Sequence, residues 1–271
     1  MTRVRRWYRG GHRTVKEGIY RAFPSVSRNA STINSGSVWL SMSPAVHGVV
    51  ERRLLVNYRV ELEKLDTVLS EPFRGREVGE TGMGIGSICL TRVENARPRF
   101  APEFFGVSAE TATHRVYARV ERSGDHCIYV PRRDVSSRFH ALLFGSLLPT
   151  EFEQGEFQEM ENGRKHQIRV ECGKEIVGVE FHETERDGVG DDSVFYSVES
   201  ASTFLCEGGT EYDLTGDVYN GVETVPQERG LKPVEVDEVR SSFFEKLGGK
   251  FDSAFRAENV EHVWKPRRSG T

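Results

Sequence analysis

From Val49 onward the chain is written mostly in a period of two, and no other feature constrains its fold as much. Strand-like segments run over residues 49–60, 82–93, 108–120 and 127–130. More follow at 152–160, 165–171, 175–182, 212–214, 218–225, 234–239, 251–257 and 260–264. Ser123-Gly124-Asp125, Glu161-Asn162-Gly163 and Cys172-Gly173-Lys174 favour tight reversals, so sequence neighbours pair as antiparallel hairpins. Helical periodicity is confined to three places. These are residues 61–69, the stretch after Ser136 with apolar Phe139, Leu142, Leu143 and Leu147, and residues 194–206, with Asp192 or Ser193 as cap. Many antiparallel strands, about three helices and no βαβ alternation predict a β-rich α+β domain. Its expected form is a large antiparallel, cone-like β-barrel that encloses a cavity, with the helices packed on it.

Residues 1–41 break this pattern. They hold eight basic side chains against the single Glu17 and show no sustained apolar period. A disordered basic extension, a transit-like segment and translated sequence ahead of a true start at Met42 are the three readings, with the last favoured. The predicted organisation is an extension over 1–41, one barrel domain over 42–265 and a disordered tail over 266–271. Because the whole chain carries a net charge of −4, the body is acidic, and non-specific nucleic-acid binding by it is not expected.

Cys89, Cys127, Cys172 and Cys206 are far apart and form no C-x-x-C pair, which points to free thiols in a reducing, cytoplasmic compartment. No apolar run is long enough for a transmembrane helix, so no membrane partner is expected. Gly82, Gly84 and Gly86 lack the helix and lysine of a phosphate loop, and His166 and His182 lack zinc-ligand spacing. No G-x-S-x-G elbow is present. Neither cofactor nor metal is expected, and self-association is left open.

The stretch from His126 to Phe152 is the most informative about chemistry. It reads as a buried strand ended by Pro131, then a turn crowded with Arg132, Arg133, Asp134, Ser136, Ser137 and Arg138. A helix capped by Ser136 or Ser137 follows, with a proline exit at Pro149. Guanidinium groups suit carboxylate recognition, since each offers a planar bidentate fork and stays charged. Further candidates lie on strands. Arg52 and Arg53 sit in the first, and Glu110 and His114 share one face of the segment 108–120. Inside a barrel, Glu110 or His114 would act as acid or base, with Arg52, Arg53, Arg132, Arg133 and Arg138 binding the substrate.

Five segments carry a resemblance: VERRLLVNYRVELEKL, SAETATHRVYARV, IYVPRRDVSSRFHALLFGSLLP, SVFYSVESASTFL and the final SSFF…EHVW. In their order and character, over most of residues 42–264, the chain resembles a domain-of-unknown-function family of the acetoacetate decarboxylase-like superfamily. The resemblance implies a cone-like antiparallel barrel around a cavity. It also implies a pocket with an arginine from the first strand, matched by Arg52 or Arg53, and a glutamate matched by Glu110. The decarboxylases form a Schiff base on a lysine in a proline-lysine-lysine motif after a helix. Here that place reads Pro149-Thr150-Glu151. The expectation is therefore a small carboxylate or keto-acid held in the cavity without a Schiff-base lysine. A non-catalytic binding or sensing module and a structural protein with a salt-bridged interior remain the alternatives.

Overall fold

The computed structural model describes residues 44–184, 188–215, 218–225 and 230–267, so the expectation for residues 1–41 falls outside them. Among these residues, seven strands close into a ring: β1 (Val46–Glu61), β3 (Met83–Pro98), β4 (Val107–Val120), β5 (His126–Val135), β10 (Thr210–Thr215), β11 (Val218–Val225) and β13 (Lys250–Arg267). β1 closes the ring by pairing with both β3 and β13. A second layer, β7 (Glu156–Asn162), β8 (Lys165–Cys172), β9 (Glu175–Glu183) and β12 (Lys232–Ser241), continues from β13. Two short strands, β2 (Phe73–Gly75) and β6 (Glu153–Gln154), pair with β4 and β5. The sheet is mixed rather than purely antiparallel, because β5 pairs in parallel with both β10 and β6.

Most ring strands are buried on both faces. On the outer face Leu54, Val56, Tyr58, Ile88, Leu90, Ala112 and Val116 pack against Ile168, Val170, Val177, Val179 and Phe181 of the second layer. On the inner face Leu55, Cys89, Tyr117, Ile128 and Phe255 form a separate core with Phe204 and Leu205. Two buried faces explain why several strands read as near-continuous apolar runs.

Among the described residues four α-helices accompany the sheet: α1 (Leu62–Asp66), α2 (Arg138–Leu147), α3 (Val198–Cys206) and α4 (Ser242–Lys246). Ser137 caps α2 by accepting from the His140 amide, 3.2 Å away. The face that α2 buries differs from the expected one. Phe144 is its buried residue, while Phe139 is 64% and Leu142 77% exposed. α3 begins four residues later than expected, because Ser197 and Ser200 form a reciprocal capping box; Ser193 instead donates to Asp252. No helix among the described residues is long and apolar enough to cross a membrane.

Pro131 does not end its strand. β5 runs through it to Val135, and the register against β4 shifts between His114 and Val116, so that Val130 and Pro131 lie opposite Arg115. A bulge leaves residues outside the ladder, so the missing proline N–H breaks nothing there. Arg132, Arg133 and Asp134 are thus strand residues with alternating directions, not a turn cluster. The two expected final strands are likewise one, which runs through Arg267 into the expected tail.

Candidate active site

Every one of the seven ring strands sends a side chain into a single cavity. Arg53, Thr91, Arg115, Arg133, Glu211, Val222 and Trp264 come from β1, β3, β4, β5, β10, β11 and β13 respectively. Phe144 of α2 and Leu148, Thr150 and Phe152 after it complete the lining. The void is about 70 Å³, space for one acid of three or four carbons, since a single water needs roughly 10–15 Å³ on this scale. Behind Arg53, Arg115 and Glu211 a smaller void of about 40 Å³ reaches Leu205, Cys206 and His262.

The cavity has three kinds of wall. Val46, Val93, Ala96, Phe144, Leu148, Phe152 and Trp264 make an apolar side. Thr91, Thr111 and Thr113 make a hydroxyl side, and Thr91 lies directly opposite Thr111 in the β3–β4 ladder. The third wall is ionic. Glu211 accepts from Arg115 Nη2 at 2.5 Å and from Arg133 Nη1 at 2.7 Å. Burial works to raise the Glu211 carboxyl, but the Arg115 and Arg133 guanidiniums overcome it and hold the group at about 2. Arg133 Nε donates to Thr150 Oγ1 at 3.0 Å, Thr150 donates in turn to Asp213, and Arg133 Nη2 is buried without a hydrogen-bond partner. Asp213 sits two residues from Glu211 on β10, yet its carboxyl is pushed up, by burial first, against the pull of Arg133. On the far side Arg53 Nη2 donates to His262 Nε2 at 3.4 Å. A guanidinium only donates, so His262 carries its proton on Nδ1 and donates it to the Val260 carbonyl at 3.0 Å.

Of the residues expected from sequence, Arg53 and Arg133 line this cavity. Arg52 precedes Arg53 and points to the other face, where it joins Glu110, Arg92 and Glu159 in an ion-pair cluster. His114 is also on that outer face, fully buried, with its ring 5.1 Å from Phe243 and neither nitrogen hydrogen-bonded. Burial, reinforced by Arg132, lowers it to about 3. Arg132 straddles the Asp134 carboxylate, with Nε at 2.9 and 3.1 Å from its oxygens, and reaches Glu153 at 3.1 Å. Asp134, Glu153 and Cys172 are the one metal-compatible grouping among the described residues, and the Arg132 guanidinium already bridges its two carboxylates. Arg138 donates to Gln154 at the surface. Lys165 is half-exposed on β8, paired with Glu180 and Asp237, and the cavity lining contains no lysine.

Sequence reading missed Arg115, Glu211, Asp213 and His262. Arg115 stood in the same alternating segment as Glu110 and His114, one step out of phase, so the other face of that period was its signal. Glu211 and Asp213 lie in a six-residue strand with little periodic signal of its own.

No family model matches the chain, and no curated protein matches it. Solved structures do. An acetoacetate decarboxylase from Legionella pneumophila superposes with a TM-score of 0.58 at 9% identity, over 83% of this chain and 86% of that one. An acetoacetate decarboxylase-like enzyme from Sphingomonas wittichii gives 0.55 at 9% identity, over 84% and 94%. The enduracididine biosynthesis enzyme MppR, complexed with the condensation product of pyruvate and imidazole 4-carboxaldehyde, gives 0.55 at 9% identity, over 92% and 97%.

Proposed function

From the acetoacetate decarboxylase-like fold that this chain adopts, we propose that its cavity binds a small carboxylic acid, keto-acids included, without covalent attachment to a lysine. The observation that carries this reading is the guanidinium wall, and within it the buried, unpartnered Nη2 of Arg133. A buried donor left unpaired costs about 1–3 kcal/mol, which a ligand carboxylate would recover. Arg53 and Arg115 line the same cavity beside Arg133, which adds guanidinium groups within reach of a bound anion. The reading takes Arg53 and Arg133 from the expected set and adds Arg115. MppR has been solved with a pyruvate-derived condensation product, which supports a keto-acid as the first probe to try.

The alternative of a salt-bridged structural interior draws on Glu211, which already serves as an internal carboxylate between Arg115 and Arg133. Thermal shift with pyruvate, acetate and neutral acetone separates the two. Binding predicts stabilisation by the acids alone, reaching about 2.7 kcal/mol at a hundredfold excess over the dissociation constant, and its loss in Arg133→Ala. Equal response to acetone, or none to any acid, would sink the proposal and favour the structural reading.

A further inference from the structure

Among the hydroxyls on the cavity wall, that of Thr150, at the exit of α2, is the one tied into the ionic wall by Arg133 and Asp213. Thr150 is buried and lines the cavity. Its Oγ1 accepts from Arg133 Nε at 3.0 Å and donates to Asp213 Oδ2. A hydroxyl has one proton and two lone pairs. With the proton committed to Asp213 and one lone pair to Arg133, Thr150 offers the cavity only an acceptor.

Protonation of Asp213 reverses this. Asp213 is buried and does not itself line the cavity, and its Oδ1 has no hydrogen-bond partner. A proton on Oδ1 would therefore be a buried donor with nothing to bond, whereas a proton on Oδ2 is received by Thr150. Once Asp213 donates, both Thr150 lone pairs are filled, and its own proton turns to the cavity. Resting on the carboxylate-binding reading above, we propose that Thr150 and Asp213 select the ligand's second oxygen. A 2-oxo acid, whose carbonyl only accepts, is held when Asp213 is protonated; a 2-hydroxy acid, whose hydroxyl donates or accepts, is held in either state and is the one favoured when Asp213 is ionised.

The charged and polar groups around Asp213 favour titration there rather than elsewhere on the wall. Arg133 of β5 lies 3.5 Å away, Thr150 bonds it from the α2 exit, Glu211 neighbours it on its own strand, and Asn220 of β11 is its ladder partner. Glu211 is held ionised by Arg115 and Arg133, while Asp213 is pushed up by its burial. Two carboxyls pushed apart in this way divide the work, one as fixed anion and the other as proton carrier.

The test is the pH dependence of dissociation constants for pyruvate and lactate, measured by titration calorimetry between about pH 4 and pH 8 on the full chain. Pyruvate is expected to gain on lactate as pH falls, by about tenfold in the ratio, the worth of one hydrogen bond made rather than opposed. Asp213→Asn should bind both acids with a ratio independent of pH. Thr150→Val should lose the discrimination, and Thr150→Ser should keep it, which holds the test open if the Asp213 variant fails to fold. If wild type binds both acids at a constant ratio, or if the shift survives in Asp213→Asn, the selection is overturned while the binding reading stands. If neither acid binds at any pH, both fall together.

Discussion

Glu211→Gln probes the electrostatic centre of the cavity. Glu211 is 6% exposed, and each of its oxygens takes one guanidinium, Arg115 at 2.5 Å and Arg133 at 2.7 Å. Its carboxyl titrates at about 2 in the fold against 4.5 ordinarily. At about 1.4 kcal/mol per pH unit, that difference is worth roughly 3 kcal/mol. The folded value lies below the unfolded one, so the stabilisation is complete above about pH 4.5 and disappears as pH falls toward 2. Glutamine keeps the shape but not the charge, and leaves two buried guanidiniums facing each other. The variant should lose roughly 3 kcal/mol at neutral pH, in line with breaking one buried ion pair. For a domain of this size that lowers the melting temperature by about 6–12 °C. Thermal melts of both proteins from neutral pH downward should converge as Glu211 becomes protonated. Curves that stay parallel, or equal stability at neutral pH, would refute the reasoning. Acetate should stabilise Glu211→Ala more than wild type, because the shortened side chain vacates the position between Arg115 and Arg133 for a free carboxylate.

Other outcomes follow from the same geometry. Borohydride reduction with acetoacetate should leave no adduct, because no lysine lines the cavity; a labelled Lys165 would overturn this. Gly86→Ala should destabilise by about 1–3 kcal/mol, measured by urea unfolding. Its new Cβ would meet Phe244 Cε1 at 2.1 Å, and that ring is fully buried and stacked on Tyr58. His114→Leu should flatten the loss of stability below about pH 6.5. Burial holds His114 neutral down to about 3, so acid protonates the unfolded chain first and pulls the fold apart. A variant as acid-sensitive as wild type would contradict that account.

The period of two is clearest where a strand buries one face, as β8 does, and fades where both are buried, as along the middle of β4. What the period cannot report is which face looks inward when both are buried. Arg52 and Arg53 illustrate this: adjacent, equally charged and equally buried, they belong to different sites. The β1–β3 register shifts between Val50 and Arg52, and such bulges depend on pairing partners distant in sequence. For the same reason Pro131 read as a strand end. Its tolerance depends on the displaced register opposite Arg115 in β4, which its own neighbours do not encode. Thr150 was legible only as a substitution at a place where the resembling decarboxylases keep lysine; its contact with Asp213 spans 63 residues of sequence.

Stability alone gives no reason for a cavity walled with Arg115, Glu211 and Arg133. Burying such a triad forfeits hydration that mutual attraction only partly returns, and well-packed apolar replacements of similar volume are often neutral or stabilising by about 1–4 kcal/mol. The surroundings here would accept them, since Val93, Phe144, Leu148 and Val222 already line the same space. Replacing the three together with Met, Leu and Met should therefore yield a chain that melts at or above the wild-type temperature. Pyruvate should no longer shift it. Replacing Glu211 alone should be worse than the triple, because it leaves two buried guanidiniums without their shared carboxylate, and that non-additivity marks the triad as one unit. A stable triple variant that has lost its response to acids would mean that the ionic wall is kept for a ligand. A triple variant less stable than every single one would mean that the wall holds the ring together.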